Sequence, residues 1–109
     1  MQFWRTQTYK KQAKRLGLSE NVLKAIEDEV AQNPDAGDVV PGLKGARKIR
    51  VAFGNKGKRG GGRAIYVVLL SEDTTYMILI YAKSEREDLS KEDKEAVVGF
   101  IKVLTEEKK

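Results

Sequence analysis

The chain is 109 residues long, carries a net charge of +5 and contains neither cysteine nor histidine. That length suits one domain, spanning residues 1–109, with a single core. The missing cysteines exclude disulfides, thiol nucleophiles and Cys-rich zinc sites, and the missing histidines exclude Ser-His-Asp and Cys-His catalysis and any nuclease that uses histidine as acid and base.

The first residues, Met1-Gln2-Phe3-Trp4-Arg5, lack the charged lead and apolar stretch of a signal peptide. No apolar run approaches the roughly 20 residues of a membrane helix. A cytoplasmic protein with no membrane partner is expected. Phe3 and Trp4 suit a short strand. Residues 8–16 follow as a helix, with Tyr9, Ala13 and Leu16 at helical spacing on a polar, basic strip and Gly17 as its stop. Ser19 is a second N-cap, and Val22, Leu23, Ile26 and Val30 make one apolar face. Asn33-Pro34 ends that helix, because a residue before proline avoids the helical region. Trp4, Tyr9 and the two amphipathic helices offer apolar surface to a partner, although filling the core is the simpler account of most of these residues.

Residues 35–46 form a glycine-rich loop. Residues 47–53 then form a strand that alternates from Lys48 onward, so that Ile49, Val51 and Phe53 face a core and Lys48 and Arg50 the other side. Residues 63–70 and 76–82 are almost continuously apolar and β-branched, as strands covered on both faces are. Residues 71–74 are the turn between them. Ser90 caps a last helix, with Glu92 and Asp93 in its first turn and Ala96, Val97, Phe100, Ile101 and Leu104 on its buried face. The predicted fold is α+β: two N-terminal helices, an antiparallel β-meander of three or more strands, and a C-terminal helix.

Between Val39 and Ser71 there is no acidic residue, while Lys44, Arg47, Lys48, Arg50, Lys56, Lys58, Arg59 and Arg63 supply eight positive charges. The rest of the chain is net acidic. A concentrated positive field attracts polyphosphates, although a solvated basic surface has the same composition. Gly57 and Gly62 have Walker A spacing, but Arg63-Ala64 stands where Lys-Ser/Thr is required, and the segment leads into a strand. A phosphate-gripping basic loop is the better reading of residues 54–63. Arg63 opens a central strand, Lys48 and Arg50 lie on its neighbour, and Lys83 follows the third. Pairing of the meander would bring these four cations onto one sheet surface, where ordered charges suit transition-state stabilisation.

Three stretches then carry a resemblance. Gly42-Leu43-x-Gly45-x-Arg47-Lys48-Ile49-Arg50-Val51, next Gly57-Lys58-Arg59-Gly60-Gly61-x-Arg63-x-Ile65-Tyr66, and finally Ile80-Tyr81-x-Lys83-x-Glu85-x-x-Asp88-Leu89 resemble the HigB branch of the RelE/ParE toxin superfamily. The resemblance implies a RelE-like toxin of a type II toxin–antitoxin system. Such toxins enter the ribosomal A site and cut the messenger there, without metal or cofactor, by attack of the RNA's own 2′-hydroxyl on the adjacent phosphate. Their partners are ribosome-bound mRNA, rRNA and a cognate antitoxin with a helix-turn-helix DNA-binding domain. The resemblance assigns catalysis to Lys48, Arg50, Arg63 and Lys83. Lys44, Arg47, Lys56, Lys58 and Arg59 are expected to bind RNA or ribosome. Two departures stand out. Ser84 occupies a position where RelE has arginine, and Ser90 lies near the place of its base-stacking tyrosine. Glu85, Glu87 and Asp88 follow Lys83 closely enough to serve as base, against a simpler role in capping and solvation. The rival readings are a gyrase-inhibiting ParE-like toxin, a non-catalytic RNA- or ribosome-binding domain, and an accessory domain without activity.

Overall fold

The computed structural model describes residues 1–53 and 61–106. Strand β1 (Gln2–Arg5) leads into helix α1 (Gln7–Arg15) and helix α2 (Glu20–Gln32). Strands β2 (Asp38–Val39), β3 (Arg47–Val51), β4 (Gly62–Leu69) and β5 (Thr74–Ala82) follow, and helix α3 (Lys91–Glu106) comes last. The expected α+β arrangement holds. The sheet has five strands in the order β1-β5-β4-β3-β2. β2 to β5 pair antiparallel, as the expected meander of three or more strands requires, and β1 lies parallel to β5, so the sheet is mixed.

Each sheet face carries its own core. On one side Ile49, Val51, Ala64, Tyr66, Met77 and Ile80 pack against Tyr9, Ala13, Leu23, Ile26 and Val30 of α1 and α2. On the other, Ile65, Val67, Leu79 and Tyr81 pack against Leu43, Leu89 and the Val97 and Ile101 face of α3. This two-sided cover explains the continuous apolar runs of β4 and β5.

Thr6 joins β1, α1 and β5. Between the Ile65–Leu79 and Tyr66–Met77 pairs the register slips by one, leaving Ile78 as an extra residue on β5. The Thr6 hydroxyl donates to the Ile78 carbonyl at 2.8 Å and accepts from the Tyr9 amide at 3.0 Å, capping α1. Further along β5, past the end of β1, the Ile80 amide donates to Gln12 Oε1 of α1 at 2.9 Å. Helix α1 therefore starts one residue earlier than periodicity indicated, at Gln7.

The turn at 71–74 is a short 3-10 segment, Leu70–Glu72, followed by Asp73 in the left-handed region. Ser90 caps α3 as expected. Its Oγ accepts from the Asp93 amide at 3.0 Å, and Asp93 Oδ2 accepts from the Ser90 amide at 3.2 Å, a reciprocal capping box.

Candidate nucleic-acid site

Register places the basic residues. Arg50 on β3 is directly opposite Arg63 on β4, and Arg63 is directly opposite Tyr81 on β5. Residues paired this way share a sheet face and stand about 5 Å apart. Lys48, two residues before Arg50 on β3, projects to the same face. Lys48 and Arg63 are half-buried, and Arg50 is exposed. The Arg63 guanidinium donates to the Gly62 carbonyl at 3.0 Å. Lys83 follows β5 immediately; its amide donates to the Gly61 carbonyl at 3.0 Å, and its side chain is exposed at the rim. The structure thus brings Lys48, Arg50 and Arg63 together on the α3 side of the sheet, with Lys83 at the end of the adjoining strand.

The approach of β4 to β5 here requires glycine. A Cβ on Gly62 would stand 2.0 Å from the Tyr81 carbonyl oxygen and 2.6 Å from the Phe53 ring. Only a residue without a side chain lets β4 begin where Arg63 can face Tyr81.

Three residues absent from the expected catalytic set complete the surroundings. Asp88 Oδ1 lies 3.5 Å from Lys48 Nζ and accepts from the Leu89 amide at 2.8 Å. That amide first, and Lys48 after it, hold the Asp88 carboxyl below the usual carboxylate range. Tyr81 is almost fully buried and its hydroxyl has no hydrogen-bond partner among the described residues. Burial, then the nearby Asp88 charge, push this phenol up, with Arg63 and Arg86 opposing. The Arg86 guanidinium lies 4.7 Å from the centre of the Tyr81 ring and ion-pairs with Asp93 at the start of α3. The segment between β5 and α3 is therefore fastened at Tyr81, Asp93 and Lys48. Glu85 in the same segment is held by Arg15 of α1 in two hydrogen bonds of 2.7 and 3.0 Å. The dense charge alternation of residues 83–88 was the sequence signal for this fastening.

Arg47 does not join the cluster. It projects to the α2 side, donates to the Gly37 carbonyl at 2.7 Å and ion-pairs with Asp35 at 3.1 Å. There it works with Tyr66, whose hydroxyl donates to the Pro34 carbonyl at 2.8 Å and accepts from the Gly37 amide at 2.9 Å. Together they hold the loop that delivers β2 to β3. Lys44 is exposed in the turn before β3, with φ of 53°. Lys56, Lys58 and Arg59 lie outside the described residues. Tyr9 is fully buried, as a core residue should be, whereas Trp4 is 59 % exposed, so filling the core does not account for it.

A small α+β domain with a mixed five-stranded sheet, helices on both faces and a knot of ordered cations at one end of its central strands is equipped to hold a polyanion. A family model described as the RelE toxin of the RelE/RelB toxin–antitoxin system matches residues 1–109. The chain belongs to that family and is the toxin component of a toxin–antitoxin pair, with an antitoxin as its cognate partner.

Proposed function

We propose that this toxin, a member of the HigB branch, cleaves messenger RNA in the A site of the ribosome and so arrests translation in the cytoplasm. The observation that carries this reading is the grouping of Lys48, Arg50 and Arg63 on one sheet face, with Lys83 at its rim. Arg63 and Lys48 clamp the scissile phosphate, and Arg50 neutralises charge that grows on it. The 2′-oxygen forms a bond to phosphorus while the bond from phosphorus to the 5′-oxygen breaks. The 2′-hydroxyl gives up a proton and the departing 5′-oxygen gains one. No metal or cofactor enters these steps.

Two groups beside the cluster are the candidates for taking the first proton, Lys83 and the Asp88 carboxylate. Among the described residues Lys83 has no acidic partner, whereas Asp88 is engaged by Lys48. Lys44, Lys56, Lys58 and Arg59 grip surrounding phosphates of messenger or ribosomal RNA. Arg47, tied to Asp35 and Gly37, supports the same surface from beneath. The antitoxin carries a helix-turn-helix DNA-binding domain.

Tightly controlled expression of the chain and of Arg63→Ala tests the reading, with message ends mapped on ribosomes. The expected result is growth arrest with cleaved messages for the parent and neither for Arg63→Ala. Equal arrest by both with intact messages overturns it. Arrest accompanied by altered DNA supercoiling points to a ParE-like target instead. Lys83→Ala and Asp88→Asn, compared under single-turnover conditions, separate the two proton acceptors.

A further inference from the structure

We propose that Asp38 takes the 2′-hydroxyl proton during message cleavage, and that Lys83, on the other flank of the cluster, returns a proton to the departing 5′-oxygen. This rests on the messenger-cleaving reading above and moves the proton acceptor from the β5 side of the cluster to its β2 side. Asp38 is the one acidic residue in the five strands. Aspartate is disfavoured in strands, so its presence in one calls for a reason. Register puts it directly opposite Lys48, on the sheet face that carries Arg50 and Arg63. Opposite charges across a strand pair ordinarily join. Here the Lys48 ammonium lies 3.5 Å from Asp88 instead, and Asp38 makes no ion pair among the described residues.

Asp38, Lys48 and Arg50 line one pocket of about 490 Å³, together with Gln32 and Asn33 from the end of α2. β2 pairs only with Arg47 and Lys48, so the edge of β3 is open from Ile49 onward, beside Asp38. A pocket of this volume accepts a nucleotide. The backbone that carries Asp38 is fixed. The preceding Gly37 donates its amide to the Tyr66 hydroxyl at 2.9 Å and accepts from Arg47 at 2.7 Å. A Cβ on Gly37 would stand 3.0 Å from the Lys48 carbonyl, so the two strands close tightly at this point. A general base held this way needs no loop to be ordered before it acts.

The direction of proton flow follows from charge. At neutral pH a carboxylate is already in its basic form, whereas a lysine is in its acid form. Asp88 is engaged by Lys48 and by the Leu89 amide, and Asp38 is engaged by neither. In-line displacement puts the attacking and leaving oxygens on opposite sides of phosphorus. The sheet order supplies two such sides. Asp38 stands on β2 and Lys83 follows β5, with Lys48 and Arg50 on β3 and Arg63 on β4 between them. A phosphate held by these three cations therefore has a base on one flank and an acid on the other. The 2′-hydroxyl proton passes to the Asp38 carboxylate while the 2′-oxygen bonds to phosphorus. The bond from phosphorus to the 5′-oxygen breaks, and that oxygen takes a proton from the Lys83 ammonium. The products are a 2′,3′-cyclic phosphate and a 5′-hydroxyl.

Single-turnover cleavage of ribosome-bound message at saturating toxin tests both roles. Asp38→Asn should lower the rate by about 10²- to 10⁴-fold, the usual worth of a general base, with affinity for the ribosome unchanged. Added formate should restore part of the activity of Asp38→Ala but none to Arg63→Ala. Such rescue needs a folded chain and a missing carboxylate, so it separates chemistry from structural damage. A message with sulfur in place of the scissile 5′-oxygen addresses Lys83, because a thiolate departs without a proton. On that message the Lys83→Ala defect should disappear and the Asp38→Asn defect should persist.

Cleavage by Asp38→Asn at the parent's rate overturns the assignment and leaves the messenger reading intact. A loss that comes wholly from weaker ribosome binding does the same. Failure of formate to relieve Asp38→Ala makes Asp38 a structural residue, which also overturns it. A Lys83→Ala defect equally large on the sulfur message overturns the donor role. A parent chain that cuts no message on ribosomes overturns the messenger reading itself, and this assignment with it.

Discussion

Arg50 and Arg63 stand directly opposite each other on β3 and β4, two positive charges in one cross-strand pair. Like charges so placed cost stability, of the order of 0.2–1 kcal/mol relative to a neutral pair. Arg50→Thr, which suits a strand, should therefore raise the melting temperature by a few degrees. It should also weaken RNA binding and slow message cleavage. Thermal melts with and without RNA check both halves. RNA should stabilise the parent more than the variant, because only the parent has the repulsion for a polyanion to relieve. A variant that melts lower than the parent would show that the pair is not repulsive.

Lys48 meets Asp88 at 3.5 Å, so the proposed phosphate clamp already holds a carboxylate. An incoming phosphate must compete with it. Asp88→Asn should tighten RNA binding at low salt while costing at most about 1 kcal/mol of stability, because the pair is exposed. The sign with pH follows from the Leu89 amide and Lys48, which depress the Asp88 carboxyl in the folded chain. Its contribution is fully present above the ordinary aspartate value of about 3.9 and disappears as pH falls through the lower, folded value. Melts from neutral to acid should show the gap between parent and Asp88→Asn closing over that acid range. A gap independent of pH would mean that the carboxylate is not what stabilises the segment.

Much of this arrangement was legible in the sequence, and particular residues show where legibility ended. Alternation in β3 placed Lys48 and Arg50 on one face because side-chain period is fixed by the strand itself. The same alternation put Arg47 with Ile49 and Val51 on the α2 side, but its charge alone grouped it with the RNA-binding residues. β1 pairs parallel at the sheet's far edge through Thr6 and the Ile78 bulge, contacts between residues more than seventy positions apart. β2 has two residues, too few for a periodic signal. Tyr81 read as a strand apolar, and nothing local reveals that Arg86 covers its ring or that its hydroxyl lies among the cluster's charges. Exposure of Trp4 depends on what packs over β1, which is a property of the whole sheet.

Tyr9, Tyr66 and Tyr81 all have phenols pushed up, in each case chiefly by burial. Folding favours their neutral form. The stability this provides is complete below the ordinary tyrosine value of about 10 and is lost as pH rises from there toward the folded values, because the unfolded chain ionises first. The chain should therefore lose stability sharply in alkali. Tyr66 keeps two hydrogen-bond partners, so Tyr66→Phe should cost about 1–3 kcal/mol by leaving the buried Gly37 amide without an acceptor. Tyr81→Phe removes a hydroxyl that has no partner among the described residues, and it should be neutral or stabilising at neutral pH and more resistant to alkali. Urea unfolding at neutral and alkaline pH compares them. A large loss for Tyr81→Phe at neutral pH would show that its hydroxyl is satisfied in solution.

Gly62 and Gly99 should respond to alanine with opposite signs. Gly99 is exposed inside α3, and a Cβ there meets nothing within 4 Å. Gly99→Ala should stabilise by about 0.5–1 kcal/mol, the helical cost of glycine. At Gly62 the added carbon would stand 2.0 Å from a backbone oxygen of β5, which cannot swing aside as a side-chain end can. Gly62→Ala must push β4 away from β5 at the residue before Arg63. It should destabilise by several kcal/mol, and any molecules that still fold should cleave poorly because Arg63 is displaced from Lys48 and Lys83. Denaturant melts give the first quantity and message cleavage the second. The pair also separates stability from function: Gly99→Ala touches none of the clustered cations, so its cleavage rate should match the parent's. A Gly62→Ala chain as stable and as active as the parent would mean that β4 and β5 are spaced more widely at this point than their pairing indicates.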